Sequence, residues 1–219
     1  MMPALKRRSS EERRERMLDA AGKIFFDQGF SAASIDSVID LIGGSKRTLY
    51  AEFGNKEGLF KALVNRCADN AVEELGGHFP DGHDIRETMI RFGKRLLEIF
   101  QTEDLIGIFR TMLLEGERFP ELARSVYENG AARASKSLAE ALRKAKSSGD
   151  IVNVDFVTVA DHFVGMMRGN EYLRILLGLR GKLTGREADA FVKSAVDLCL
   201  YGIVAPEEAR RAGRGRRSK

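Results

Sequence analysis

The sequence predicts an all-α chain, and three observations carry that reading. Its four prolines stand at positions 3, 80, 120 and 206, so long stretches are free of helix breakers. Apolar residues recur at three- and four-residue spacing along most of the chain. Residues that cap or stop helices fall where those periodic stretches begin and end. About nine helices are expected: three in an N-terminal head, the others in a larger C-terminal helical domain.

Ser10 is placed to cap a first helix that runs to about Gln28, with Leu18, Ala21 and Phe25 on one face and Gly29 as its stop. Ser34 caps a second, in which Ile35, Val38, Ile39 and Ile42 form an apolar stripe. Gly43 and Gly44 end it, and Gly44 should loosen the turn. Ser45 caps a short third helix through Phe53. Asn55 caps a fourth that reaches about Leu75, with Leu59, Leu63 and Cys67 in line.

Residues 76–84, GGHFPDGHD, have loop composition, and Asp84 with Glu87 reads as a capping box for a fifth helix. Its inward residues are Met89, Phe92, Gly93, Leu96, Leu97 and Phe100. The sixth, about 103–116, is apolar on most sides and is expected to be central. Pro120 suits the first turn of a seventh helix that continues to about Ser147. In IVNVDFVTVA, Val152, Val154 and Phe156 alternate like a strand, but a lone strand would lack a partner. An eighth helix is therefore expected from about Asp155 to about Leu179. The ninth spans about 184–202.

Composition narrows the function. The 219 residues are 43% hydrophobic and 31% charged, a globular balance, and no apolar run is long enough for a bilayer. There is no secretory h-region, and Cys67 and Cys199 match no metal spacing, so reduced core thiols and a cytoplasmic location are expected. The net charge is +4, and its distribution is uneven. Residues 6–16 hold six Lys/Arg against three Glu, and residues 207–219 hold six against two. Basic ends suit a polyanion, although a tail after Pro206 can equally be solubilising and disordered. With three histidines and no nucleophile–base or paired-carboxylate spacing, no enzymatic activity is expected. The loop residues His78, Asp81, His83 and Asp84 could bind a metal, but loop residues without supporting outer ligands rarely do, so neither a metal nor another cofactor is expected.

The stretch GGSKRTLYAEF, residues 43–53, poses the central choice. A phosphate-binding P-loop needs Gly, four residues, then Gly-Lys-Ser/Thr after a buried strand. Here Ser45 separates Gly44 from Lys46 and an amphipathic helix precedes, so the nucleotide reading fails. Two short helices joined by a glycine turn instead describe a helix-turn-helix. Leu49 and Phe53 would anchor its second helix. Lys46, Arg47, Thr48, Tyr50 and Ala51 would then face outward, a mix suited to phosphates and base edges. The starts of the second and fourth helices, at Ser34 and Asn55-Lys56, can each take a backbone phosphate. An exposed hairpin with ordinary surface charges has the same pattern.

Residues 31–60, SAASIDSVIDLIGGSKRTLYAEFGNKEGLF, resemble the DNA-binding segment of TetR/AcrR-family transcriptional repressors, as does the preceding MLDAAGKIFFDQGF. The resemblance covers about fifty residues. It implies Ser34, Ser45, Lys46, Arg47, Thr48, Tyr50 and Lys56 as DNA-binding residues, with Lys46 and Arg47 reading bases. Lys6, Arg7 and Arg8 would form a groove-tracking arm. The chain departs from the family where Gly44 replaces a frequent β-branched residue, Arg47 a frequent Gly, and Glu52 a usual His or Tyr.

Residues 109–130 more faintly resemble an AcrR/AefR-like regulatory domain. The expected boundaries are an arm over 1–9, the helix-turn-helix head over 10–55, a ligand-binding and dimerisation domain over 56–204, and a basic tail over 205–219. Candidate cavity residues are Cys67, Met89, Phe92, Leu96, Phe109, Arg110, Met112, Tyr127, His162, Phe163 and Met167. Each apolar one is also a plain core candidate. Candidate dimer residues are Phe163, Gly165, Met166, Gly169, Phe191 and Ala195, since the family pairs through its last two long helices. The resemblance implies a homodimer on double-stranded operator DNA, released by a small hydrophobic or aromatic effector, with no membrane partner. A binding module with a vestigial DNA head, suggested by Gly44 and Glu52, and a transcriptional activator are the alternatives.

Overall fold

The computed structural model describes residues 3–76, 84–145 and 154–201, with side chains from residue 10 onward. Every regular element among them is helical. The first, α1, runs Pro3–Gln28, so the helix starts before Ser10, which lies inside it rather than capping it. The expected arm is thus helical backbone from Pro3; the side chains of Lys6, Arg7 and Arg8 lie outside the described residues. Gly29, at φ +79°, ends α1 in a conformation that favours glycine.

Two short helices follow, α2 over Ile35–Ile42 and α3 over Lys46–Phe53. Their starts are set by serine caps. Ser34 accepts from the Ser37 N–H and Ser45 from the Thr48 N–H. The turn between them uses Gly43 at φ +73° and Gly44 at φ +109°. A β-branched residue would be strained there, so Gly44 is a requirement of this turn rather than a loosening of it. α4, Lys56–Gly76, then leaves the head and enters the body. Its first half packs with Leu18, Phe25, Phe30, Val38, Leu49 and Phe53 around Leu59, Phe60 and Leu63. The Phe25, Phe30 and Phe60 rings meet pairwise at 5.4, 5.5 and 5.3 Å between centroids.

The body is built on α5, Ile85–Phe100. Asp84 precedes it but makes no capping hydrogen bond through its side chain, so the expected capping box is not formed. Helices α8, Arg133–Ala145, α9, Phe156–Met167, and α11, Gly185–Tyr201, enclose the buried face of α5. Gly93 makes that fit possible, because a Cβ there would lie 2.8 Å from Val192 and 3.0 Å from Phe163.

Two expected helices are not uniform. The seventh is α7, Pro120–Val126, a π-helical turn over Tyr127–Ala132, and α8. The eighth breaks at Arg168-Gly169 into α9 and a short α10, Asn170–Leu176. Asp155 caps α9 through the Val157 and Thr158 N–H groups, which fixes the start that the alternating pattern obscured. Residues 77–83, 146–153 and 202–219, with the His78/Asp81/His83 loop, Val152 and the basic tail, lie outside the described residues.

The sixth helix, α6 over Glu103–Glu115, is not central. It buries Gly107, Ile108 and Thr111, while Leu113 and Leu114 are 72% and 84% exposed. Its buried edge lies against α1, where a Cβ on Gly107 would sit 2.4 Å from the Phe26 ring. At its end, Glu115 accepts from the Ser31 N–H at 2.7 Å and from the Ser31 hydroxyl. The Ser31 hydroxyl and N–H, with Arg118 nearby, hold the Glu115 carboxyl below its usual pKa. Gly107→Ala is expected to lower stability by about 1–3 kcal/mol through overpacking of the α1–α6 contact, read as an earlier urea midpoint with an unchanged m-value.

Candidate nucleic-acid interface and internal cavity

The head presents α3 to solvent on a fixed support. Leu49 and Phe53 are buried and hold its inner side. Lys46, Arg47, Tyr50 and Ala51 are exposed, and Thr48 is partly exposed. The Thr48 and Ser45 hydroxyls are 3.0 Å apart, so both lie at the start of α3, where unpaired N–H groups and the helix dipole favour an anion. Arg47 makes no ion pair or hydrogen bond among the described residues, which leaves its guanidinium available to a groove. Lys46 is engaged: it pairs with Asp36 of α2 at 2.7 Å, and that hydrogen bond raises its pKa. It must exchange this partner to meet a phosphate or base, and because both groups are solvent-exposed the exchange costs little.

Lys56 corrects the expectation of a phosphate-gripping side chain. Its ammonium donates to the backbone oxygens of Phe30 at 2.8 Å, Ser31 at 3.2 Å and Ala33 at 3.0 Å, and it lies 4.7 Å from the Phe30 ring centroid. All three N–H bonds are used on the loop that joins α1 to α2. Lys56 therefore clamps the head, and only the backbone N–H groups at the start of α4 remain for an anion. Glu52 has a structural explanation too. It pairs with Arg14 at 2.9 Å, and Arg14 covers the Phe53 ring, so Glu52 ties α3 to α1.

Beneath the head lies an apolar cavity between α4, α5, α6 and the π-helical turn. Cys67, Leu96 and Phe109 line it as expected, joined by Ala68, Ile108 and Gly130. Burial pushes the Cys67 thiol up to about 12, so it acts as an apolar wall rather than a nucleophile. Its free volume is about 40 Å³, on a scale where one water needs about 10–15 Å³. A drug-sized ligand occupies a site of about 300 Å³ or more, so the walls must part to admit one.

Several expected lining residues stand elsewhere. Met89, Phe92, Phe163 and Met167 are packed in the α5–α8–α9–α11 core, where neighbouring apolar side chains fill the space around them. Met112 and Tyr127 border a separate outer depression. His162 is exposed on α9. Arg110 points away from the cavity and donates to the backbone oxygens of Leu176 at 2.9 Å and Ile175 at 3.0 Å, which caps the end of α10. The sequence reading missed Arg168, which borders both the cavity and the depression. The available signal was a lone cation followed by Gly169 in an otherwise apolar run.

The candidate dimer residues also divide. Phe163 and Ala195 are buried within the protomer, and Gly169 is the N-terminal cap of α10, not part of a small-residue strip on one helix. Gly165 is exposed, with open space around it, and Met166 and Phe191 are partly exposed.

Residues 17–63 match the description "Bacterial regulatory proteins, tetR family", and residues 87–202 match "AefR-like transcriptional repressor, C-terminal domain". The chain belongs to the TetR family. It is 45% identical over 92 residues to the HTH-type transcriptional repressor ComR of Escherichia coli, covering 42% of this chain and 44% of ComR. It is 42% identical over 62 residues to the HTH-type transcriptional activator FasR of Mycolicibacterium smegmatis, 28% of each chain. The chain thus spans less than half the length of these two curated relatives. The solved structure of the Flavonoid-responsive Regulator FrrA is 30% identical, with a TM-score of 0.70 over 87% of this chain and 96% of that one. Among the described residues, no helix is long and apolar enough to cross a membrane.

Within this TetR-family head, the inward and outward cations should separate experimentally. Lys56→Met is expected to cost about 1.5–3 kcal/mol, because three carbonyls lose a charged donor. Arg47→Ala and Tyr50→Ala should stay within about 0.5 kcal/mol of the parent. Denaturant titration of the three variants checks both statements.

Proposed function

We propose that this chain is a ligand-responsive transcriptional repressor. It binds a palindromic operator as a homodimer and is released by a small hydrophobic or aromatic effector. The carrying observation is that the cavity walls belong to helices that also hold the head. α4 contributes Leu59, Phe60 and Leu63 to the head core and Cys67 and Ala68 to the cavity. α6 contributes Ile108 and Phe109 to the cavity, and its Gly107 and Glu115 touch α1 and Ser31. Because the free volume is only about 40 Å³, a ligand that enters must move one of these helices, and the head moves with it.

One head reads only a few base pairs, and paired half-sites lie about 34–36 Å apart or a multiple of that, so two copies are needed. The outward sides of α9 and α11 supply a face for the pairing, with Val157, Gly165, Leu198 and Tyr201 exposed along them. A second copy would cover these apolar groups. On the DNA, Ser34, Ser45, Thr48 and Tyr50 would hold the backbone, Lys46 would do so after leaving Asp36, and Arg47 would read a base. The names of ComR and FrrA support repression and a small flat effector.

Fluorescence anisotropy with DNA from upstream of the chain's own gene tests the reading. Salt-sensitive, competitor-resistant binding is expected, weakened for all sequences in Tyr50→Ala and shifted in base preference in Arg47→Ala. Parent affinity in both variants would contradict it. Leu198→Arg is expected to convert the dimer to a monomer by sedimentation and to lose operator binding with it.

A further inference from the structure

The helix break between α9 and α10 places Arg168 against the cavity with no carboxylate in ion-pair contact among the described residues; Asp161 of α9, hydrogen-bonded to Ser135, acts on it only through its field. Its guanidinium carbon lies 4.8 Å from the centroids of both the Phe100 and Phe109 rings. Its Nε is fully covered and has no hydrogen-bond partner, and no ion pair or hydrogen bond reaches any part of the side chain among the described residues. Tyr172, on the first turn of α10, packs against the same two rings at 5.5 and 6.0 Å. Its hydroxyl is buried and also unpartnered. Arg168 and Tyr172 lie in each other's field, and burial pushes the Tyr172 phenol up to about 12, so it stays a donor. Two covered donor atoms, Arg168 Nε and the Tyr172 hydroxyl, are therefore left unsatisfied on the same pair of rings; Arg168 borders the cavity, whose other walls are almost wholly apolar, while Tyr172 stands next to the Phe100 and Phe109 walls outside the lining itself.

Such a pair is costly to keep in a merely structural role. A buried polar group without a partner costs about 1–3 kcal/mol, and more when charged. The two Phe rings offset part of the cost for Arg168 through its cation–π contacts, but they accept none of its N–H bonds. What the site lacks is an anion that can accept from both donors while its body occupies the apolar slot. A planar carboxylate matches a guanidinium edge bidentately, with an oxygen left for the phenol.

We infer that the effector of this chain is an amphipathic monoanion, a carboxylate on a flat or extended apolar body, held by Arg168 and Tyr172 with the body between Cys67, Ala68, Leu96 and Phe109. This deepens the reading above and rests on it. The position also explains how such a ligand would be sensed. Arg168 ends α9 and Gly169 begins α10, and the far end of α10 is held by Arg110 of α6. An anion that draws Arg168 and Tyr172 together displaces α10, and Arg110 passes the shift to the helix packed on α1.

The test uses the full-length protein and two matched probe pairs, 2-naphthoate with 2-naphthamide and decanoate with decanamide, by isothermal titration and thermal shift. At least one carboxylate is expected to bind the parent about 10–100-fold more tightly than its neutral amide. Arg168→Met should remove that preference and leave amide binding in place, and Arg168→Lys should restore part of it. Tyr172→Phe, which deletes one oxygen, should reduce carboxylate affinity up to about tenfold and serves if Arg168→Met does not fold. Equal binding of acid and amide, or carboxylate binding unchanged in Arg168→Met and Tyr172→Phe, overturns the anion assignment and leaves the ligand-responsive reading standing. No binding of any of the four by a protein that still binds its operator overturns both.

Discussion

The rest of the structure depends on how closely α6 lies against α1. Gly107 has no side chain, and the ring of Phe26 occupies the space that a Cβ would need. That contact brings Ile108 into the head core and Phe109 into the cavity wall one residue later. Glu115 then fastens the end of α6 to Ser31, beside the loop that Lys56 clamps from below. The head is thus tied to the body through the continuous α4, through the lateral α6 contact, and through Phe119 and Leu122, with the Phe119 ring 4.7 Å from that of Phe30. A domain joined only by a flexible linker could not report the state of a distant cavity.

The balance of polar interactions in the head separates positioning from contact. The Lys56 clamp, the Arg14–Glu52 pair and the Ser34 and Ser45 caps all serve the shape of the α1–α4 unit. They fix the angle at which α3 leaves the surface. Arg47 and Tyr50 face outward and carry no such duty. Departures from the family pattern divide in the same way. Glu52 is absorbed by Arg14 and Gly44 by the backbone of the turn, while Arg47 is left available for recognition.

Local signals made the head legible in the sequence. The Ser34 and Ser45 caps, the glycine stops, the Ile35/Val38/Ile39/Ile42 stripe and the Leu49/Phe53 anchor each act over three or four residues and appear in the structure, whereas the expected Ser10 cap does not. The body was legible as helices but not as a packing. Helical spacing cannot tell a residue that faces a neighbouring helix from one that faces a cavity, so Met89 and Phe92 read the same as Leu96. It cannot show that an amphipathic cation folds inward, because that depends on carbonyls 23 to 26 residues upstream, as with Lys56. The nearly all-round apolar pattern of α6 suggested a central helix, yet Leu113 and Leu114 face solvent. The break at Arg168-Gly169 was hidden because apolar spacing continues across it. With the break went Arg168, the half-buried cation that borders the cavity.

The central claim is that cavity and DNA head share one free-energy coupling. The direct measurement is operator affinity with and without saturating 2-naphthoate or decanoate, beside the affinity of that ligand with and without saturating operator. The account predicts that each weakens the other by the same factor, within the roughly 5–150-fold range of such couplings. A ligand that fills the cavity while leaving operator affinity unchanged would contradict it.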